Sequence, residues 1–396
     1  MKSLFDDAKA AALTTPLQLR VYTSQLLGQS EDLVLHGGGN TSYKSDDTLY
    51  VKGSGWNLVD IEEAGFSPVD LSVLQEMATR DSLSDSQMVK EQRDALRNSD
   101  APNPSIEAIL HAIIPFAFVD HTHADAVVTI SNTPDGKEVL RQIYGDRVLL
   151  IDYVMPGFIL SKHIYEQTRG IDWNSLEGII LLNHGLFTFD DDAKRSYEKH
   201  IALVTKAEQY IEAHTTLPAA CEPKALDNSF FDALINGVAK LRNTGIVAII
   251  LDSPQACALS KLPNLEAILS NGELTPEHVI RIKPFPAVID ENIRDGLDQF
   301  VSSYRLYFQN NASAEHICLD LAPRYAIIKG FGAVAFGKDE KEANVIADIV
   351  EHTVKAMLVA EQLGGWQSLA QKDIFDMEYW ELEQAKLRNA NDQRPI

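Results

Sequence analysis

The period of the apolar positions changes several times along the chain, and each change marks an element. Leu4, Ala8, Ala11, Leu19, Tyr22 and Leu26 recur at helical spacing and predict helix over 3–28, interrupted near Pro16. Two short strands with glycine turns follow, DLVLHGGGNTSYK (32–44) and TLYVKGSGW (48–56). Residues 60–100 carry alternating charges without a catalytic cluster and read as a solvated helical face. The block 103–212 is denser. It holds a helix opening at 103–111, apolar β-branched runs at 119–130 and 178–189, and a helix from Ala193 to Ala213. Ile201, Val204, Ala207 and Ile211 share one face of that last helix.

The segment LPAACEPK (217–224), with two prolines and small residues, predicts a linker between a domain at 1–216 and a second lobe at 225–396. The second lobe echoes the first. Residues 324–354 repeat the strand, glycine turn, strand, acidic turn and long helix of 177–207, and 249–269 echo 118–140. The expectation is a degenerate copy with a strand at 325–329, a turn at Gly330–Gly332 and a helix from about 340. A chance likeness of two strand–turn–helix units is the alternative.

The densest chemistry lies in VDHTHADAVVTI (119–130). On a strand, side chains at i and i+2 leave the same face, so His121 and His123 can converge on one ion. His184, in GIILLNHGLFTF (178–189), follows another apolar strand and precedes a turn glycine. Three imidazoles at strand ends match the three protein ligands of a catalytic zinc site, which keeps a fourth position open. In the second lobe the alignment puts Phe331 at the place of His184 and Asp252–Pro254 at the His-x-His run, so no metal is expected there. His36, His163, His200, His214, His278, His316 and His352 have no partner at ligand spacing and read as structural or exposed.

HGGGNTS (36–42) fits neither a nucleotide P-loop nor a dinucleotide fingerprint. Its physical use is close backbone approach to an anion, with Asn40, Thr41 and Ser42 adding hydrogen bonds, and KGSGW adds Ser54 and Gly55 one strand later. Two ordinary hairpin turns are the plainer alternative. Glu107 and His111 are four apart and share a helical face. His111 reads as a packing histidine outside the site.

Composition narrows the classes. The 396-residue chain is long enough for two domains, and its net charge of −22 argues against nonspecific nucleic-acid binding. No apolar run reaches membrane-spanning length, and MKSLFDDAKAA lacks the apolar core of a signal peptide, so a cytoplasmic protein is expected. Cys221, Cys257 and Cys318 lack metal or redox spacing and read as idle thiols.

In order and spacing, LHGGGNTS (35–42), VKGSGW (51–56), NPSIEAILH (103–111), HTHAD (121–125), DYVMPG (152–157) and LLNHGLF (181–187) resemble the class II aldolase/adducin family. That family comprises zinc-dependent sugar-phosphate aldolases and epimerases, and the likeness covers about residues 15–215. The wording, with the segment ending DIFDMEYWELEQAKL (373–387), is similar to the aldolase part of bifunctional rhamnulose-1-phosphate aldolase/alcohol dehydrogenase proteins. In those a short-chain dehydrogenase follows; with Ile396 as the last residue, none is expected here.

The resemblance implies an α/β fold, layered, with a largely antiparallel central sheet flanked by helices. It implies Zn²⁺, or another divalent metal, on His121, His123 and His184, and Glu107 of the Ser-x-Glu motif as general base. It implies a phosphate pocket at Asn40, Ser54, Gly55 and Ser105. Tyr153 matches a tyrosine that donates a proton in a neighbouring subunit's site; the adjacent Asp152 departs from the aldolase pattern. A homo-oligomer, a dimer or tetramer, is expected, in which the second lobe lies against a first lobe, its own or a neighbour's. The implied substrate is a phosphorylated sugar, a ketose 1-phosphate such as L-rhamnulose 1-phosphate. Its C3–C4 bond breaks to give dihydroxyacetone phosphate and an aldehyde. Epimerisation, dehydration or decarboxylation on the same scaffold is the nearest alternative, and a non-catalytic adducin-like binding protein the more distant one.

Overall fold

The computed structural model describes residues 1–382 and 384; the rest of the expected second lobe and of the 373–387 motif lies outside the described residues. The chain forms two units, one from 1–131 and 136–211, the other from 132–135 and from Glu212 onward.

The first unit is built on seven strands: β1 (Asn40–Ser45), β2 (Thr48–Lys52), β3 (Phe66–Asp70), β4 (Phe118–Thr122), β5 (Val148–Ile151), β6 (Gly178–Leu181) and β7 (Gly185–Asp190). They lie in the order β3-β2-β1-β4-β7-β6-β5. Every pairing is antiparallel except β5 with β6, so the sheet is α/β and largely antiparallel, as expected. The N-terminal helical stretch divides as its proline requires, into helices Asp7–Ala11 and Pro16–Gly28, the second capped by Thr15. The stretch 60–100 holds helices Leu71–Thr79 and Asp85–Asp94 but also β3, which the charge pattern hid. Pro68 sits in that strand because β3 is an edge, where a missing N–H leaves no ladder bond unmade.

Strand β4 divides the polar from the apolar side of this unit. Val119 packs with Leu110, Ile151, Ile179, Phe187 and Phe189 in one core cluster. Asp120 and Thr122, pointing the other way, meet helices Pro16–Gly28 and Ala193–His214. There Arg20 and Asp120, both fully buried, form an ion pair, and Ser196 Oγ donates to the second Asp120 oxygen at 2.5 Å. His200 bridges Thr122 and Thr188 at 2.6 and 2.9 Å, and burial pushes its pKa down to about 4. It is a satisfied packing histidine.

The second unit carries β8 (Val247–Leu251), β9 (Ala287–Ile289), β10 (Tyr325–Ile328) and β11 (Gly332–Gly337), in the order β8-β11-β10-β9. Only β9 and β10 run parallel. This repeats the connectivity of β4-β7-β6-β5, and the helix Glu340–Gln362 follows β11 as Ala193–His214 follows β7. The register fixes the correspondence. Leu186 faces Thr122 as Ala333 faces Leu251. A Cβ on Gly185 would meet Thr122 O at 2.4 Å, and one on Gly332 would meet Leu251 O at 2.5 Å. Ile250, Asp252 and Phe331 therefore stand where His121, His123 and His184 stand in the first unit. The expected alignment of the His-x-His run with Asp252–Pro254 was two residues out, because there the ladder, and no shared side chain, sets the match.

The cysteine expectation is corrected. Cys221 and Cys257 form a disulfide with Cα atoms 6.0 Å apart, and only Cys318 is a free thiol. The pairing was invisible in sequence because it depends on where the linker segment 217–224 is held. Gln255 Nε2 donates to Pro218 O, Lys261 Nζ to Glu222 O and Lys224 N to Gly330 O, which brings 217–224 beside helix Pro254–Leu259. Among the described residues, no helix is long and apolar enough to cross a membrane.

A buried polar cluster sits in the second unit. Tyr304 donates to Glu378 Oε1 at 2.7 Å and lies 3.0 Å from Tyr379 Oη, while Lys283 Nζ rests 3.7 Å from the centre of the Tyr304 ring. Burial pushes Glu378 up to about 7, against the opposing pull of Lys283, Tyr304, Tyr307 and Arg324. Glu378 thus keeps a proton in the folded state that the unfolded chain releases near pH 4.5. The associated stability is fully present below that pH and is lost as pH rises through about 7. Glu378→Gln, which keeps the acceptor for Tyr304, is expected to abolish up to about 3 kcal/mol of this decline. Melting temperatures from pH 4 to 8 check it: the variant gains on the native protein towards pH 8.

Candidate functional site

Strand β4 carries His121 in its fully buried stretch and ends at Thr122, so His123 leaves the strand just past its end. His184 sits in the tight turn between β6 and β7. That turn is made by Asn183 in the left-handed conformation (φ +60°) and by the His184 N–H bonding to Leu181 O at 3.1 Å. The antiparallel pairings bring these ends together. Ring centroids lie 4.9 Å (His121–His123), 5.2 Å (His121–His184) and 5.1 Å (His123–His184) apart. One nitrogen from each ring lies within 4.8 Å of the others.

The donor set fits a divalent cation. Two nitrogens 2.0–2.1 Å from a tetrahedral ion stand about 3.3 Å apart, and the Nε2 atoms of His121 and His123 are 3.1 Å apart. His121 Nδ1–H donates to Leu186 O at 3.1 Å, which leaves its Nε2 lone pair for the ion. Burial, aided by the neighbouring imidazoles, holds the His121 pKa well below the usual range, so the ring is in the neutral, ligating form. Phe187 stacks on that ring at 3.9 Å and fixes its plane.

Glu107 lies at the N-cap of helix Ala108–Ile113, its N–H bonded to Ser105 Oγ at 3.2 Å. The buried carboxylate reaches the cluster from the side, with Oε2 3.5 Å from His121 Nε2 and Oε1 3.6 Å from His184 Nε2. Oε2 accepts from Asn40 Nδ2 at 2.6 Å, while Oε1 has no hydrogen-bond partner among the described residues. A carboxylate with one oxygen anchored and the other unbonded beside three imidazoles can move a proton. Asn40 faces His121 across the β1–β4 ladder and also bonds to His111 Nε2. His111, read from the sequence as packing, thus joins the site through Asn40. The signal that could have found it was its place one helical turn after Glu107.

The two glycine-rich turns come to this neighbourhood by different routes. A Cβ on Gly38 would lie 3.5 Å from His123 Nδ1, so the HGGG turn packs directly against the cluster. The KGSGW turn is laced to the NPS segment, with Ser54 N bonded to Asn103 O at 2.8 Å and Ser105 N to Lys52 O at 3.0 Å. Lys52 Nζ donates to Gly37 O at 3.1 Å and ties the two turns together. Ser54 and Gly55 are exposed, Ser105 half-buried. Tyr153 is half-buried on the loop after β5, the far edge of the sheet.

Gly185 sets how closely β7 approaches the imidazoles. A Cβ there would lie 2.4 Å from Thr122 O, 2.8 Å from His121 Cε1 and 3.2 Å from His123 Cδ2. Gly185→Ala is expected to cost about 1–3 kcal/mol and to weaken divalent-metal binding by displacing both rings. Thermal denaturation and metal titration of the variant check both effects.

Residues 18–211 match the family described as Class II Aldolase and Adducin N-terminal domain, and residues 226–387 that described as Aldolase class II, second domain. The chain is similar to the uncharacterized oxidoreductase YuxG of Bacillus subtilis (strain 168), 30% identical over 432 residues. The match takes in 98% of this chain and 60% of the relative, so the chain spans well under two thirds of that protein. Among solved structures it is similar to the N-terminal class II aldolase domain of a conserved protein from Thermoplasma acidophilum. That match is 36% identical, covers 53% of this chain and 99% of that one, and has a TM-score of 0.48. L-fuculose-1-phosphate aldolase from Thermus thermophilus is 14% identical over 50% of this chain and 94% of its own, with a TM-score of 0.34. With its two halves matching successive class II aldolase domains, the protein belongs to the class II aldolase and adducin family.

Proposed function

We propose that this protein is a divalent-metal-dependent carbon–carbon lyase that cleaves a ketose 1-phosphate to dihydroxyacetone phosphate and an aldehyde. The observation that carries the reading is the convergence of His121, His123 and His184 with the half-anchored Glu107 carboxylate. The three imidazoles would hold Zn²⁺ or a similar cation. That ion, when bound, supplies a Lewis acid for the hydroxyl and carbonyl oxygens next to the bond that breaks.

The chain's own groups do the rest. Oε1 of Glu107 moves the proton at the carbon that is left carrying charge after C3–C4 cleavage, and Oε2 stays on Asn40. Ser54, Gly55 and Ser105 receive the phosphate. Asn40 keeps a second N–H to add to them, since its amide nitrogen has two donors. Tyr153, in a neighbouring subunit's site, takes the proton of the C4 hydroxyl as the C3–C4 bond breaks to leave the aldehyde, and donates it back to the aldehyde oxygen in the reverse condensation; the working form is therefore a homo-oligomer. L-rhamnulose 1-phosphate is the substrate proposed first. A scaffold role like adducin's has no need of three imidazoles and a carboxylate at one point.

Two measurements test this. Metal analysis is expected to find one divalent ion per chain, lost in His121→Ala and His184→Ala. Proton–deuterium exchange at dihydroxyacetone phosphate in D₂O reads the Glu107 step without needing the aldehyde. Glu107→Gln should retain metal and slow exchange by roughly 10²–10⁴-fold. Normal exchange by that variant at full metal content would show that another group takes the proton. A screen of phosphorylated ketoses then separates the reactions, because an epimerase interconverts its substrates with no aldehyde released.

A further inference from the structure

We propose that His111 is a positioning residue that, through Asn40, decides which oxygen of Glu107 is free to move a proton. The inference rests on the reading of Glu107 as the proton-transfer group. It starts from a chain of four buried side chains: Ser42, His111, Asn40 and Glu107.

Donor and acceptor atoms fix the direction of every bond in that chain. Asn40 donates from Nδ2 to Glu107 Oε2 at 2.6 Å. Asn40 Oδ1 then faces His111 Nε2, which must carry the ring proton. His111 Nδ1 is left as an acceptor, and the Ser42 hydroxyl donates to it at 2.7 Å. Burial, with the cations of Lys44 and Arg20 adding to it, keeps the ring neutral, with a single N–H to place. Ser42 and Asn40 sit two apart on β1 and share a face, and Glu107 and His111 are one turn apart, so β1 and helix Ala108–Ile113 are clasped by this network.

Without the His111 donor, Asn40 Oδ1 is left buried with no partner on that side, and the amide is held by its bond to Glu107 alone. Asn40 then no longer anchors Oε2 in a fixed place, and the unbonded Oε1 is no longer held 3.6 Å from His184 Nε2. The ring nitrogens of His111 bond to Ser42 and Asn40 rather than to the three imidazoles. Its effect on proton transfer is relayed.

The test has an arm with no turnover in it. In metal-free protein carrying ¹⁵N-histidine, His111 is expected to be the Nε2–H tautomer. His111→Phe keeps an aromatic ring against Phe187, which His111 meets edge-on at 5.7 Å, but loses both hydrogen bonds. It should retain metal content and KM for dihydroxyacetone phosphate within about twofold, while kcat for proton–deuterium exchange falls roughly 10–100-fold. His111→Gln, which can donate to Asn40, should recover most of the loss. Should His111→Phe not fold, Ser42→Ala serves: it removes the donor to Nδ1 and should give a mixed tautomer population with a smaller loss of kcat. A native His111 protonated at Nδ1 overturns the proposal. So does a folded, fully metal-loaded His111→Phe that exchanges at the native rate. If Glu107→Gln exchanges normally, the reading of Glu107 fails instead, and the tautomer result tells the two failures apart.

Discussion

The first unit depends on one buried charge pair. Arg20 and Asp120 are both fully buried, and each is satisfied almost entirely by protein. The guanidinium also donates to Ser24 Oγ and to the carbonyls of Ser42 and Val119, while Asp120 takes a further bond from Ser196. Removing one partner of such a pair typically costs about 3–5 kcal/mol, because the other is left charged and desolvated. The pair therefore does more than add stability. It requires helix Pro16–Gly28, β1, β4 and helix Ala193–His214 to meet in one arrangement.

That arrangement places the chemistry on the opposite face. With β1 held to β4 in this register, Asn40 stands across from His121, and alternation along β4 sends Asp120 to the ion pair and His121 to the imidazole cluster. A slip of one residue would exchange the two faces, putting a carboxylate among the imidazoles and a histidine against Arg20. Each face thus enforces the other. The same logic runs through the smaller bonds: His121 is set by a backbone carbonyl, His200 by two threonines, His111 by Ser42 and Asn40.

The second unit shows what the scaffold becomes without that demand. Its four strands keep the connectivity and the close glycine approach, yet Ile250, Asp252 and Phe331 occupy the three imidazole positions. Its buried polar chemistry has moved elsewhere, to Glu378, Lys283 and the tyrosines on helix Ile293–Asn311. Fold and site are separable here, because the strand ladder is made by backbone groups that any side chain carries.

Sequence alone determined the elements with a strong period and the residues whose chemistry is local. The helices around Pro16 and after Asp192, the strand pair at 40–52, the strand from 325 and the helix from 340, and the His-x-His spacing were legible, since each is a property of neighbours in the chain. Strand β3 was not, because a proline and flanking charges mask a five-residue edge. Tertiary structure alone decided the rest. It brought His184 to His121, paired Cys221 with Cys257, shifted the second unit's register by two residues and linked His111 to Glu107 through Asn40. All four join groups distant in sequence or separated by a third side chain. Such contacts are set by which strands pair and which side chains meet across them, and periodicity carries no information about either.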